Sequence, residues 1–331
     1  MKILVTGATG FIGGHLINAL IEEQHDITCL VRSEQKGKAL QNKFCVEYVV
    51  GDVTEKDSLN GLEKDYEVVF HLAAIGHVSS TSDDALKKFI CVNEEGTANL
   101  INYLKDSQLL KRFIHFSSTA AMGPIGEPYL DENSVPNPVT PYQISKNRSE
   151  SISLNAYREF KFPTIVVRPC MVYGVGGYGE FYKFCRLMNR GIFPKVGFGK
   201  NLTPLVNVND VVQASIKAMY HGKCGELYII ASEKSLSMDN LHALIMKNIG
   251  KRGRYPFVPT FIALLGAKML EIVFNVLKKE PIVTYRNIKS TVTDRTFLID
   301  KAKQELGYCP QISFEKGIAE TIAWYKEEGK L

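Results

Sequence analysis

Tyr142 and Lys146 stand four residues apart in Tyr142-Gln143-Ile144-Ser145-Lys146. On a helix such a pair shares one face. A lysine ammonium near a phenol favours the phenolate and lowers the tyrosine pKa from about 10. Tyr142 is therefore a candidate proton donor and acceptor near neutral pH. Upstream, Ser117, Ser118 and Thr119 follow the strand-like run Phe113–Phe116. A hydroxyl there can hold a substrate carbonyl, although turn and cap hydroxyls use the same residue types. At the N-terminus, Gly7, Gly10 and Gly13 recur every third residue just after Ile3–Val5. Glycines in that place permit a tight turn and let the backbone approach a pyrophosphate. The N–H groups of the following helix then face the phosphates. An ordinary strand-to-helix turn could also use glycines, but strand, turn and helix signals all coincide here.

The elements that must position these residues read as alternating strands and helices. Ile3–Val5, Ile27–Val31, Val46–Val50, Val68–His71, Phe113–Phe116, Thr164–Val167 and Leu227–Ile230 are strand candidates. Gly13–Glu23, Asp83–Lys105 and Tyr142–Phe160 are helical. Strands separated by helical crossovers make a parallel sheet. The expected fold is α/β, a Rossmann-type doubly wound parallel sheet with a smaller, discontinuous C-terminal substrate lobe. Residues 1–174 and 205–232 would form the nucleotide-binding domain, and 175–204 and 233–331 the lobe. Ligands in open α/β sheets bind outside the carboxyl ends of the strands. Ser117 and Ser118 sit at one such end.

Composition narrows the function classes. Of 331 residues, 45% are apolar and 23% charged, as in ordinary globular proteins. A net charge of +5 leaves no footprint for nucleic acid. Seven scattered cysteines contain no C-x-x-C, so neither a zinc site nor a disulfide framework is expected. The first strand starts within two residues of Met1, which leaves no room for a signal peptide. A cytoplasmic location is expected. The stretch 261–277 is strongly apolar but short of a membrane span. A buried helix is the favoured reading; a greasy substrate mouth or a monotopic membrane contact is the sharper one.

Taken in order, TGATGFIGG at 6–14, GDV at 51–53, HLAA at 71–74, VNEEGTANL at 92–100, SSTAAMG at 117–123, PYQISK at 141–146, RPCMVYG at 168–174 and ELGYCP at 305–310 resemble one family. It is the extended short-chain dehydrogenase/reductases, of the nucleotide-sugar epimerase/dehydratase and 3β-hydroxysteroid dehydrogenase type. The resemblance covers nearly the whole chain. It implies that Ser118 is the catalytic hydroxyl, Tyr142 the acid/base, and Lys146 the residue that holds the nicotinamide ribose. It further implies a cofactor lined by Gly7, Thr9, Gly10, Phe11, Ile12 and Gly13. Asp52 and Val53 would line the adenine. Leu72, Ala73 and Ala74 would pass beneath the cofactor, with Asn93, Pro169 and Cys170 nearby. No metal is expected; a homodimer is compatible with the family.

Cofactor and substrate rest on departures from the family pattern. No carboxylate ends the second strand; Val31 and Arg32 occupy that place. A guanidinium there pairs with the 2′-phosphate of NADP, so NADP(H) is expected, with NAD as the other candidate. A solvated surface arginine would look the same. Nucleotide-sugar members usually carry an asparagine where this chain has Met171, and an arginine where it has Thr203. Arg295 could still serve a phosphate. The aromatic residues Tyr178, Phe181, Tyr182, Phe184 and Phe198 suit an apolar pocket or a core. The expected function is hydride transfer between NADP(H) and a secondary alcohol or ketone of a bulky, 3β-hydroxysteroid-like substrate. The alternatives are a nucleotide-sugar epimerase or dehydratase with bound NAD, and a catalytically silent NADP sensor.

Overall fold

Strand β1 (Lys2–Thr6) is apolar on both faces, and Ile3, Leu4 and Val5 are fully buried. Strands of that composition must be covered on both sides. Six more follow: β2 (Asp26–Val31), β3 (Glu47–Val50), β4 (Val68–His71), β5 (Arg112–Phe116), β6 (Thr164–Pro169) and β7 (Leu227–Ile230). A computed structural model describes residues 1–76, 83–124, 126–191, 195–251, 257–276 and 285–331. The described residues form one seven-stranded sheet in the order 3-2-1-4-5-6-7, parallel throughout. This is the doubly wound order expected from the sequence. The direction of winding reverses between β1 and β4, and ligands of such sheets bind at that switch point.

The crossover helices are α1 (Phe11–Glu22), α2 (Glu34–Phe44), α3 (Asp83–Phe89), α4 (Gly96–Leu104) and α5 (Pro141–Phe160). The single helix expected over 83–105 is interrupted. Ile90–Glu95 forms a π turn between α3 and α4. Such turns often mark functional sites. Helix α5 begins with a complete capping box. Thr140 accepts from the Gln143 N–H, the Gln143 side chain accepts from the Thr140 N–H, and Pro141 fills the first turn. That cap fixes where Tyr142 enters the helix.

A further crossover helix, α7 (Val208–His221), leads into β7 and packs into the main core through Val211, Ala214 and Ala218. Beyond the sheet lie α6 (Glu180–Asn189), α8 (Met238–Ile249), α9 (Thr260–Val276), α10 (Tyr285–Val292), α11 (Asp300–Leu306) and α12 (Phe314–Glu327). Helices α6, α8 and α12 share a core of their own, built from Phe181, Cys185, Leu241, Ile245, Ile318 and Ile322. Short strand pairs tie these parts to the sheet's carboxyl edge. Met171–Tyr173 runs beside Leu205–Asn207, Leu202–Thr203 beside Leu236–Ser237, and Tyr129–Leu130 beside Thr296–Phe297. Among the described residues no helix is long and apolar enough to cross a membrane.

Candidate active site

The glycine loop is shaped by contacts that leave no room for side chains. Gly7 has φ +70°, and a Cβ there would lie 2.6 Å from the Leu72 carbonyl carbon, at the end of β4. A Cβ on Gly13 would lie 2.5 Å from the Gly7 carbonyl oxygen. The loop therefore presses β1 against the 72–74 segment and α1 against the loop. Gly10 caps α1 without any side chain, so no capping side chain competes for the first helical N–H groups. Thr9 and Gly10 are exposed, while Phe11 and Ile12 are half-buried. A dinucleotide pyrophosphate fits this cradle on both counts, close backbone approach and a free helix start. Phe11 and His15 reach across to the loop after Tyr173; the His15 ring bonds the Val175 carbonyl at 2.8 Å.

The segment beneath that cradle is cross-braced. Asn93, in the π turn, accepts from the Ile75 N–H at 2.9 Å and donates to the Ser145 hydroxyl at 3.0 Å. It thus ties the 72–76 strip to α5. Thr6 accepts from the Ala73 N–H at 3.1 Å and meets His71 Nδ1 at 2.8 Å. His71 Nε2 meets the Thr97 hydroxyl, which itself donates to the Asn93 carbonyl. With Thr97 already donating, His71 must donate through Nε2 and accept at Nδ1. Burial, aided by the Lys146 ammonium, pushes His71 down to about 3, so the ring is neutral as this chain requires. Val53 is buried and its carbonyl accepts from Asn99, while Asp52 accepts from Thr54.

Ser118, Tyr142 and Lys146 come together at the carboxyl ends of β5 and β6. The Ser118 and Tyr142 side chains are hydrogen-bonded to one another. Ser118 also caps a short helical turn by accepting from the Ala120 N–H. Ser117 is buried, and its hydroxyl has no partner among the described residues. Lys146 is 3% exposed and donates to the Phe116 carbonyl at 2.7 Å. One turn along α5, Glu150 holds Arg168 of β6 in a buried two-pronged ion pair of 2.7 and 2.5 Å. Burial pushes Lys146 down to about 8, and the Glu150 carboxylate opposes that fall. Tyr142 departs from the expectation. Burial drives its phenol upward, and the bond to Ser118 offsets only part of this. The Lys146 ammonium points at a carbonyl rather than setting the phenol's titration.

The remaining expectations divide. Arg32 is exposed at the end of β2, with no ion pair among the described residues. Pro169 and Cys170 are buried where β6 leaves the sheet. Arg295 lies half-buried, its Nε without a partner among the described residues. Its N–H bonds the Leu202 carbonyl, and the neighbouring Thr296 N–H bonds the Pro128 carbonyl. The aromatic pocket does not form as such. Phe181 is core, and Tyr178 and Tyr182 stack on Trp324 and Tyr325 of α12 at 5.1 and 5.0 Å. Phe198 is exposed. Sequence reasoning gave no role to Glu150, Arg168, His71 or His115. The available signal was the polar run Ser145, Lys146, Ser149, Glu150, Ser153, which puts one face of α5 against the sheet.

Residues 3–231 match the NAD dependent epimerase/dehydratase family. The chain belongs to that family. Its relatives are long matches. It is 25% identical to the human dTDP-D-glucose 4,6-dehydratase, over 98% of this chain and 90% of that protein. It is equally similar to a 4-hydroxy-2-methyl-3-oxo-4-farnesyl-3,4-dihydroquinoline-1-oxide ketoreductase of Stigmatella aurantiaca, at 25% identity over 96% of this chain and 95% of the relative. The structure of UDP-glucuronic acid 4-epimerase from Bacillus cereus, in complex with NAD, superimposes with a TM-score of 0.77. That match has 23% identity, covers 99% of both chains, and shows the shared fold. The protein is thus an enzyme of an NAD-dependent, epimerase/dehydratase-type oxidoreductase family, with dehydratases, reductases and epimerases around it. The relatives matched are nucleotide-sugar enzymes and reductases, not specifically steroid dehydrogenases.

Proposed function

We propose that this family member oxidises and re-reduces a secondary alcohol of a nucleotide sugar, as an epimerase does. The observation that carries the reading is Arg295. Its side chain is half-buried, burial lowers its pKa, and its Nε lacks a partner among the described residues. Backbone bonds hold it between Leu202 and the segment that follows the Ser118 loop. A diphosphate would supply the charge-assisted bonds that such a cation lacks. The relatives named for dTDP- and UDP-sugars support the same substrate class. Dehydration is less well served. Eliminating water requires a further acid/base pair, and the Ser117–Met122 loop offers hydroxyls, alanines and a methionine but no carboxylate.

In this reading Tyr142 exchanges the proton of the carbinol oxygen and Ser118 holds that oxygen by hydrogen bond. Lys146 would hold the nicotinamide ribose. The nicotinamide, when bound, accepts and returns hydride. Gly7, Gly10 and Gly13 with the α1 N-terminus would take the pyrophosphate. Leu72, Ala73 and Ala74 would line its underside. Residues 175–204 and 233–331 would close over the sugar. Arg32 would meet the adenine ribose and favour a 2′-phosphate, so NADP(H) should bind more tightly than NAD(H). Arg32→Asp should reverse that order, measured as two dissociation constants; a wild type that prefers NAD overturns the assignment.

A second reading is net reduction of a bulky ketone. Met171 and Thr203, in place of phosphate-binding residues, and Arg32, which would suit the 2′-phosphate of NADP(H), favour it. The experiment is a parallel incubation with UDP- and dTDP-sugars and with apolar ketones. Sugar products are read by NMR and cofactor by absorbance. Interconversion of a sugar nucleotide without cofactor consumption is expected. Ketone-dependent oxidation of NADPH, with every sugar nucleotide returned unchanged, would replace the first reading by the second.

A further inference from the structure

Helix α9 breaks the usual rule of solvation. Over Thr260–Val276 its charged residues are Lys268 and Glu271 alone. A helix that is apolar all round belongs in a protein core or in lipid. This one is not in the core. Among its described side chains only Ala267 is buried. Phe261, Leu265, Met269, Ile272 and Val273 are each at least half exposed. Beside its start, Phe198 and Phe257 pack ring to ring at 5.8 Å and border an apolar cleft of about 590 Å³. Phe198 itself is 76% exposed.

Charge says what could cover this surface. The sequence 251–292, which contains α9, has eight basic residues against two acidic ones, a net +6. The other 289 residues have 32 basic against 33 acidic. The entire positive balance of the chain therefore lies in the stretch of sequence that carries this exposed apolar helix. Lys251, Lys268 and Lys289 are exposed. Glu271 is engaged internally, accepting from the Tyr285 N–H at 2.9 Å.

We propose that α9 and its basic flanks dock this protein on an anionic lipid surface, with the helix lying in the interface. Apolar residues entering the headgroup boundary while lysines and arginines meet anionic lipid are the two parts of such a contact. At 17 residues the helix is about 25 Å long, short of the roughly 30 Å hydrocarbon layer. It lies on the membrane rather than across it. A second copy of the chain is the poorer occupant. A two-fold contact through α9 would set one +6 segment against another. An anionic surface neutralises that charge instead.

The test is flotation of the full-length protein with phosphatidylcholine vesicles, with and without phosphatidylglycerol. Expected is flotation with the anionic vesicles, loss of it in high salt, and little with pure phosphatidylcholine. Leu265→Glu with Met269→Glu should abolish it while circular dichroism and cofactor binding stay unchanged, because both side chains are already in water. Lys268→Gln and Lys289→Gln should each weaken partitioning about fivefold. Absence of flotation on anionic vesicles at low salt overturns the proposal. So does equal flotation by the Leu265→Glu/Met269→Glu protein. A dimer detected by light scattering, dissolved by the same double change and accompanied by no lipid binding, would assign the surface to a second copy instead.

Discussion

Helices α5 and α9 are nearly the same length and break the amphipathic rule in opposite directions. Helix α5 turns polar residues inward. Ser145, Lys146, Ser149, Glu150 and Ser153 are all buried. Helix α9 turns apolar residues outward. The difference lies in what faces them. Behind α5 stand β5 and β6, which supply partners for most of these polar groups, while Asn93 of the π turn supplies one for Ser145. The His115 ring meets the Ser153 hydroxyl at 2.6 Å, the Phe116 carbonyl meets Lys146, and Arg168 meets Glu150. Buried polar groups are tolerable only when so satisfied. Among the described residues no comparable wall stands over α9. On these two helices burial follows the availability of partners more closely than hydropathy. Under the proposed function the two helices would divide the labour: α5 would carry the proton chemistry, and α9 would face what lies outside.

The comparison breaks first at Tyr142. If α5 carries the chemistry, Tyr142→Phe should lower turnover by about 10²–10⁴-fold, the range for loss of a positioned proton-transfer group. Cofactor dissociation constants should barely move. Steady-state rates together with fluorescence titration of the cofactor check this. Near-normal turnover would remove α5 from the mechanism. Next comes the ion pair. Glu150→Gln leaves a buried guanidinium without its counter-charge and should cost about 3–5 kcal/mol in urea unfolding. Replacing both partners, Glu150→Leu with Arg168→Met, should return most of that loss. A double variant no better than the single one would mean that the pair does more than satisfy itself, and that Lys146 depends on it.

These contrasts bear on what could be read from the chain beforehand. Strands β1, β4, β5 and β7 were legible because a strand buried on both faces has no alternative to a continuous apolar run. The glycine cradle was legible because its spacing is itself a steric requirement. The π turn at 90–95 was not, since the apolar period runs through Phe89 and Leu100 without a break, and only the pull of Asn93 on Ile75 and Ser145 reveals it. The polar face of α5 was visible as residues but not as a buried face. Its partners come from β5, some thirty residues earlier, and from β6, eighteen residues later. Tyr178 and Tyr182 read as a pocket because α12, which covers them, arrives about 140 residues further along. The upward drift of the Tyr142 pKa was missed for a related reason. Burial outweighs a neighbouring charge when that charge is aimed elsewhere.

Lys146 sharpens the comparison on a smaller scale. Its folded pKa lies near 8, below the usual lysine value of 10.5, because burial penalises the ammonium. A cation whose pKa falls on folding costs stability wherever both states are protonated. That cost is complete below about pH 8, shrinks as pH rises, and is gone above about 10.5. Lys146→Met should therefore be more stable than wild type at pH 7, by on the order of 1 kcal/mol, while losing activity. The gap should close between pH 8 and 10.5. Unfolding curves at several pH values measure it. A gap of constant size would mean that Lys146 is stabilised by its bond to Phe116 and not strained by burial. Activity that requires the ammonium should decline earlier, as pH rises through about 8.

The smallest expected effect lies on the other helix, and it is the most discriminating. If α9 meets no protein wall, polar substitutions on it should cost almost nothing in isolation. Leu265→Ser removes a large apolar side chain that is 59% exposed. Surface changes of this kind move stability by about 0.5 kcal/mol or less. The same change at a buried leucine such as Leu100 of α4 would leave a cavity and an unpaired hydroxyl, and should cost several kcal/mol. Paired urea curves for Leu265→Ser and Leu100→Ser give the contrast directly. A large loss at Leu265 would show that α9 is covered in solution, by the rest of the chain or by a second copy. The test separates these, because cover from a second copy makes the loss depend on protein concentration, whereas cover from the same chain does not. A negligible loss leaves the apolar face open to solvent in the isolated protein, which is the condition a lipid surface needs.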